Sequence, residues 1–197
     1  MVWRRQQERD RFFQKAKRDQ YRARSAYKLL EINRRLSLMK PGDAIADLGA
    51  APGSWSQVAA GVVGPKGRVV AVDLTAIQPL KGVVTLQADI CDPATADLMR
   101  TALGRLADAV ISDVSPQISG NRIADHVRSI ELAECSLKMA LGLSRPGAGF
   151  AVKVFGGDEL DPFARRLARA YRQMKIVVPE ATRQESRETY VCGVHRL

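Results

Sequence analysis

Short apolar runs alternate with amphipathic stretches along most of the chain. The segments 43–48, 68–73, 83–87, 109–113 and 149–154 are brief, apolar and bounded by turn residues or acids, as strands buried on both faces are. Between them the spacing predicts helices over about 54–63, 93–106, 125–143 and 161–172. In the third of these, Ile130, Ala133, Leu137 and Ala140 recur at helical spacing, and Glu134 and Lys138 form an i,i+4 pair. Upstream, Ser25 is placed to cap a helix reaching Leu36, with Leu29, Ile32 and Leu36 on one face. Two further strands, 175–178 and 189–194, have only a short connection, so the last is expected to run antiparallel. The alternation predicts an α/β fold: a mostly parallel seven-stranded sheet, helices on both faces and an antiparallel last strand.

The chain is organised around Asp47 to Gln57, D-L-G-A-A-P-G-S-W-S-Q, which reads as strand, tight glycine turn and helix. Glycines there let the chain reverse and let a ligand approach the backbone. A dinucleotide site would require G-x-G-x-x-G, but Gly49-Ala50-Ala51-Pro52-Gly53 lacks the middle glycine. Asp47 puts a carboxylate at the strand end, which suits a cationic ligand better than a phosphate. S-adenosyl-L-methionine, with its ammonium and sulfonium groups, meets those demands. An ordinary strand-to-helix turn is the plainer alternative, and Asp47, Pro52 and Trp55 together weigh against it.

Composition narrows the class. The chain has 197 residues, 46% hydrophobic, which suits one domain with a sizeable core. No apolar run approaches a membrane span, and the charged N-terminus is not signal-like. Cys91, Cys135 and Cys192 stand far apart with no C-x-x-C, so reduced thiols, a cytoplasmic setting and no zinc site are expected. With only His126 and His195 besides, no metal centre is expected.

Net charge is +10, and its distribution matters more than its size. From Trp3 to Arg35 twelve Lys/Arg stand against four acids (Glu8, Asp10, Asp19 and Glu31), a net +8 that leaves +2 for the rest. Trp3, Phe12, Phe13, Tyr21 and Tyr27 are interleaved with these cations, offering stacking surfaces beside phosphate partners. A basic, partly helical RNA-binding arm at 1–24 is therefore expected, followed by a single domain at 25–197. Nucleic acid is the favoured partner, ahead of an acidic protein or a membrane surface.

Three successive strands end in acids: Asp73, Asp89 just past its strand, and Asp113. In a parallel sheet these ends share one rim with the glycine turn. Asp73, about twenty residues on, is placed to accept ribose hydroxyls, and Asp89 to receive an adenine amino group. Asp92, before Pro93, reads as a helix cap. Lys153 interrupts the apolar run Phe150 to Phe155. It is either a solvent-facing rim lysine or an amine held beside carboxylates, with Asp113 and Glu188 available to orient it.

Together, D-L-G-A-A-P-G-S-W-S-Q, Ser112-Asp113 with Pro116, Ser119 and Gly120, V-K-V-F around Lys153, and Ser186-Arg187-Glu188-Thr189-Tyr190 resemble the FtsJ-type 2′-O-ribose RNA methyltransferases. The resemblance runs from about Arg22 to the C-terminus. It implies a Rossmann-like, S-adenosylmethionine-dependent methyltransferase fold and a catalytic tetrad of Lys28, Asp113, Lys153 and Glu188, with Lys153 as general base. It also implies cofactor contacts from Gly53, Trp55, Asp73, Asp89 and Asp113. Ser54 stands where members usually carry a second glycine, and Ser115-Pro116-Gln117 replaces the commoner Ala-Pro-Asn. The expected substrate is a uridine of large-subunit ribosomal RNA, free or in a ribosomal subunit, and the expected protein a monomer needing no metal or membrane. Transfer RNA and a non-catalytic, cofactor-binding assembly factor are the alternatives. A nicotinamide oxidoreductase lacks its glycine motif here, and a small-molecule methyltransferase would leave the basic arm without a purpose.

Overall fold

The computed structural model describes residues 10–183 and 185–197. Trp3, Arg4, Arg5, Glu8 and Arg9 of the basic arm lie outside the described residues. The elements run α1 (Arg11–Arg18), α2 (Ala26–Leu36), β1 (Ala44–Leu48), α3 (Ser54–Val63), β2 (Arg68–Asp73), β3 (Val83–Gln87) and α4 (Pro93–Leu103). They continue with β4 (Ala107–Ser112), α5 (Arg122–Leu143), β5 (Ser144–Phe155), α6 (Leu160–Ala168), β6 (Tyr171–Val177) and β7 (Glu188–Arg196).

The strands form one seven-stranded sheet in the order β3-β2-β1-β4-β5-β7-β6. Strands β1 to β5 pair in parallel, and β7 runs antiparallel to both β5 and β6. Alternate residues of each strand face opposite ways, so the sheet builds two cores. Leu48, Val110, Phe150, Val152 and Val191 pack with α4, α5 and α6. Ile45, Ile111, Ala151 and Tyr190 pack with α2 and α3. Lys153 is in step with Ala151, so its side chain belongs to the α2/α3 face, near the carboxyl ends of the parallel strands.

Local chemistry explains where several boundaries depart from the periodicity. Helix α5 begins at Arg122 rather than 125, because the Asn121 side chain accepts from the amides of Ile123 (3.1 Å) and Ala124 (3.2 Å). Helix α4 stops at Leu103, where Gly104 turns left-handed at φ +68°. Asp92 caps α4 through the Ala94 amide, as expected. Ser25 does not cap α2 with its side chain; its hydroxyl meets that of Ser54 at 2.9 Å, joining α2 to α3. Glu134 pairs across to Arg166 on α6 instead of with Lys138, since tertiary packing brings a guanidinium closer than the i+4 neighbour.

Two larger expectations are corrected. Cys91 and Cys135 are joined as a disulfide across 44 residues, tying the segment after β3 to α5, while Cys192 is free and buried. Spacing along the chain could not show that these two segments lie side by side. Three aromatics of the basic segment, Phe12, Tyr21 and Tyr27, are not free stacking platforms either, and Trp3 lies outside the described residues. Phe12 and Tyr21 pack against Tyr27, which is 7% exposed and donates its hydroxyl to Asp19 at 2.8 Å. The cations of α1, Arg11, Lys15, Lys17 and Arg18, are exposed.

Candidate active site

The glycine turn is built as its sequence requires. Gly49 and Gly53 take left-handed φ values of +66° and +102°, and the Ala51–Pro52 peptide is cis. Asp73, at the end of β2, accepts from the Ala51 amide (3.0 Å) and the Thr75 amide (2.7 Å). Asp89 accepts from the Cys91 amide at 2.8 Å, leaving its second oxygen without a partner among the described residues. A cavity of about 500 Å3 opens at this rim, lined among others by Gly49, Ala51, Asp73, Asp89, Asp113 and Gln117. Of the five residues expected to contact a cofactor, Asp73, Asp89 and Asp113 line it. Gly53 lies under Leu80 and Ile77, where a Cβ would come within 2.7 Å of Leu80. Trp55 is 1% exposed, its indole N–H donating to the Ser25 carbonyl and its ring stacked on Tyr190. A larger cleft of about 690 Å3, beside Asp19, Tyr21 and α3, includes no member of the expected tetrad.

The four tetrad residues come from α2, the end of β4, β5 and β7, and they converge as two ion pairs. Lys153 Nζ donates to the Asp113 carbonyl at 2.8 Å and lies 3.3 Å from its carboxylate. Lys28 Nζ lies 2.5 Å from Glu188 Oε2. Both amines are nearly dry, Lys28 at 6% and Lys153 at 5% exposure, so each is paired rather than solvated. Cross-strand register sets the arrangement: Lys153 stands opposite Tyr190, and Phe155 opposite Glu188. Directly opposed side chains share a face, so Glu188 lies one step along the same face from Lys153.

Tyr190 joins the candidate site although motif reading gave it no role. Its hydroxyl donates to Asp113 Oδ1 at 2.6 Å, and the Lys28 ammonium lies 5.8 Å from its ring centroid. Its sequence signal was parity, two residues past Glu188 in an alternating strand. Burial works to raise the Asp113 carboxyl, but the charges of Lys153 and Lys28 and the Tyr190 hydrogen bond outweigh it, holding the group below the usual carboxylate range.

Asp47 is fully buried and faces inward rather than into the cavity. Ser56 donates to one oxygen at 2.6 Å and the other has no partner among the described residues. Burial, with Asp113 and Asp73 nearby, pushes its carboxyl up to about 7. Arg22, counted by sequence among the phosphate-binding cations, is instead spent on structure. Its guanidinium donates to the carbonyls of Pro52, Gln78 and Pro79, each at 2.8 Å, pinning the glycine turn to the segment after β2.

A sheet ordered β3-β2-β1-β4-β5-β7-β6 with one reversed strand, carrying an acid-lined cavity at its carboxyl rim, is the Rossmann-like fold of methyltransferases. Residues 21–196 match the FtsJ-like methyltransferase family, and the chain belongs to that family. It is 46% identical over 94% of its length to "Ribosomal RNA large subunit methyltransferase E" of Methanothrix thermoacetophila, spanning 72% of that protein. It is 44% identical to the protein of the same name from Syntrophobacter fumaroxidans, covering 94% of this chain and 95% of the relative. Among solved structures, a putative ribosomal RNA methyltransferase of Plasmodium falciparum superposes with a TM-score of 0.77 at 25% identity, covering 90% of this chain and 99% of that one. The Aeropyrum pernix fibrillarin, solved with natively bound S-adenosyl-L-methionine, shares the fold with a TM-score of 0.60 at 16% identity, over 86% of this chain and 76% of that one. Among the described residues no group of His, Cys, Asp or Glu is arranged to hold a metal ion, and no helix is long and apolar enough to cross a membrane.

Proposed function

We propose that this methyltransferase transfers a methyl group from S-adenosyl-L-methionine to a ribose 2′-hydroxyl of large-subunit ribosomal RNA, at a uridine. The observation that carries the reading is the buried Lys153 amine, held by Asp113 where the acid-lined cavity meets the Lys28–Glu188 pair. The relatives named for ribosomal RNA methylation, at 44–46% identity, support the substrate class.

The cavity's donor set suits the cofactor. Asp73 would hold the ribose hydroxyls and Asp89, with its free oxygen, the adenine amino group. Asp113 supplies negative charge near the cationic end. Gly53 and Trp55 would act indirectly, by shaping the turn and by stacking on Tyr190. When bound, the cofactor supplies a methyl group already activated on a positively charged sulfur, and no metal is then required for the transfer.

A 2′-hydroxyl is a weak nucleophile until its proton is removed. Neutral Lys153 would take that proton as the oxygen bonds to the methyl carbon and the carbon–sulfur bond breaks, leaving S-adenosylhomocysteine, a methylated ribose and a lysine ammonium. Asp113 then faces the charge that forms, in the pairing seen here. Lys28 and Glu188 would hold the ribose in line, and proximity supplies much of the rate. The segment 1–24 would serve as the RNA-binding arm of a single domain at 25–197. In this segment the exposed cations of α1 meet phosphates without reading sequence.

Transfer of tritiated methyl to large-subunit ribosomal RNA, followed by mapping of the modified ribose, tests the reading. Label appearing in transfer RNA alone would move the substrate. Cofactor binding with no transfer to any RNA would leave a non-catalytic assembly factor.

A further inference from the structure

A cavity next to the acid-lined one has a disulfide in its wall. It measures about 470 Å3, and its lining includes Cys91, Asp92, Glu134, Cys135 and Lys138. Ile90 borders both cavities, and Leu132, three residues before Cys135 on α5, lines the acid-rimmed one. The Cys91–Cys135 bond therefore stands beside the partition between them. Solvent reaches it unevenly: Cys91 is exposed and Cys135 half-buried.

The charged groups of this cavity are unequally engaged. Glu134 is paired with Arg166, and Asp92 accepts the Ala94 amide at the start of α4. Lys138 is exposed and carries no ion pair or hydrogen bond among the described residues. It follows Cys135 by three residues, so the two share one face of α5. There its ammonium can balance a thiolate on Cys135 or meet the carboxylate of a docked molecule. An exposed sulfur to attack and a stabilised thiolate to leave are what thiol–disulfide exchange requires. The volume falls within the roughly 300–1,000 Å3 of small-ligand pockets, so an incoming thiol has room to dock.

We infer that this cavity is a modification site, where a small carboxylate-bearing thiol exchanges with the Cys91–Cys135 bond and forms a mixed disulfide on Cys91. The incoming thiolate attacks Cys91 Sγ, a sulfur–sulfur bond forms there, and the bond to Cys135 breaks. Cys135 leaves as a thiolate beside Lys138 and takes up the proton that the incoming thiol gave to solvent. A second thiol then attacks the adduct. It leaves Cys91 as a free thiol and releases the two small thiols joined as their own disulfide, so two electrons have passed to the protein. The consequence lies at Asp89. Its carboxylate accepts from the Cys91 amide (2.8 Å) and its carbonyl from the Thr95 hydroxyl (2.5 Å), within the turn that the disulfide ties to α5. Opening the bond loosens that turn and weakens the hold on the cofactor. This last step rests on the proposed cofactor role of Asp89, whereas the exchange at Cys91 does not.

The test treats the oxidised protein with two thiols of similar size and opposite charge, 3-mercaptopropionate and cysteamine. Exchange rates are measured for the wild-type protein and for Lys138→Ala. Peptide mapping after an acid quench locates the adduct, and calorimetry gives the cofactor Kd of the oxidised and fully reduced protein. The adduct is expected on Cys91, with Cys135 free. Lys138→Ala slows both thiols through the leaving group, and slows 3-mercaptopropionate by about threefold more than cysteamine, the size of an exposed ion pair. Reduction weakens the cofactor Kd by about fivefold or more, within the usual range of coupling between two sites. An adduct on Cys135, equal slowing of the two thiols, or three free thiols in the denatured starting protein where Cys192 alone is expected would each overturn the site. A cofactor Kd within about twofold in the two states overturns the link through Asp89. If neither state binds the cofactor, the cofactor reading falls and the exchange at Cys91 stands on the mapping.

Discussion

The Tyr190 hydroxyl donates to Asp113 Oδ1 at 2.6 Å from a position directly opposite Lys153 in the β5–β7 register. Asp113 is thus held by a neutral donor as well as by the amine it orients. A hydrogen bond to a charged group contributes about 1.5–3 kcal/mol, so Tyr190→Phe is expected to lower kcat by about tenfold. Losing a donor to the charged form also raises the Asp113 carboxyl toward its usual range. The acid limb of the pH–rate profile should therefore move to higher pH, with the cofactor Kd unchanged. Steady-state kinetics across pH would show this, and an unmoved profile with wild-type kcat would refute it.

Arg22 joins the glycine turn to Gln78 and Pro79 through three carbonyls. Arg22→Ala frees both segments beside the acid-lined cavity. The expected result is a weaker cofactor Kd by about tenfold, as loss of net hydrogen bonding of about 1.4 kcal/mol implies. Calorimetry reads it directly. If Arg22 served RNA alone, cofactor affinity would not change and only RNA affinity would fall.

Asp47 imposes a pH dependence on stability. Its carboxyl is at about 7 in the folded protein against an ordinary 3.8, so the folded state binds the extra proton between those values. Stability from this group is therefore fully present below about pH 4 and declines as pH rises toward 7, by up to about 1.4 kcal/mol per pH unit. Asp47→Asn removes the titration. Denaturant unfolding between pH 5 and 8 should give a flatter profile for the variant, and parallel profiles would contradict the assignment.

The Cys91–Cys135 bond closes a 44-residue loop and holds the segment whose Cys91 amide donates to Asp89. Chain-entropy arguments give such a crosslink about 4 kcal/mol. Reduction, or Cys135→Ser, should lower the denaturation midpoint and weaken cofactor binding together. An unchanged midpoint under reductant would show that the bond contributes nothing in solution.

What the sequence made legible were features written locally. Strand β2 and helix α3 were bounded from apolar runs and glycines alone, because both lie between strong turn signals. The four candidate residues Lys28, Asp113, Lys153 and Glu188 were named from motif fragments, and the sheet draws them together because three of the four sit on β4–β5–β7 ends. What stayed hidden depended on partners distant in sequence. The insertion of β7 between β5 and β6 is a choice of neighbours that periodicity does not encode. The Arg22 clasp, the Glu134–Arg166 pair and the packing of Phe12 and Tyr21 on Tyr27 likewise arise only once the segments meet.

Lys153→Ala tests the central claim most directly, with tritiated-methyl transfer to large-subunit ribosomal RNA measured beside cofactor and RNA affinity. Loss of a general base is expected to cost about 10²–10⁴ in rate, with both ligands still bound. A variant that methylates RNA at near the wild-type rate would show that this amine does not take the proton.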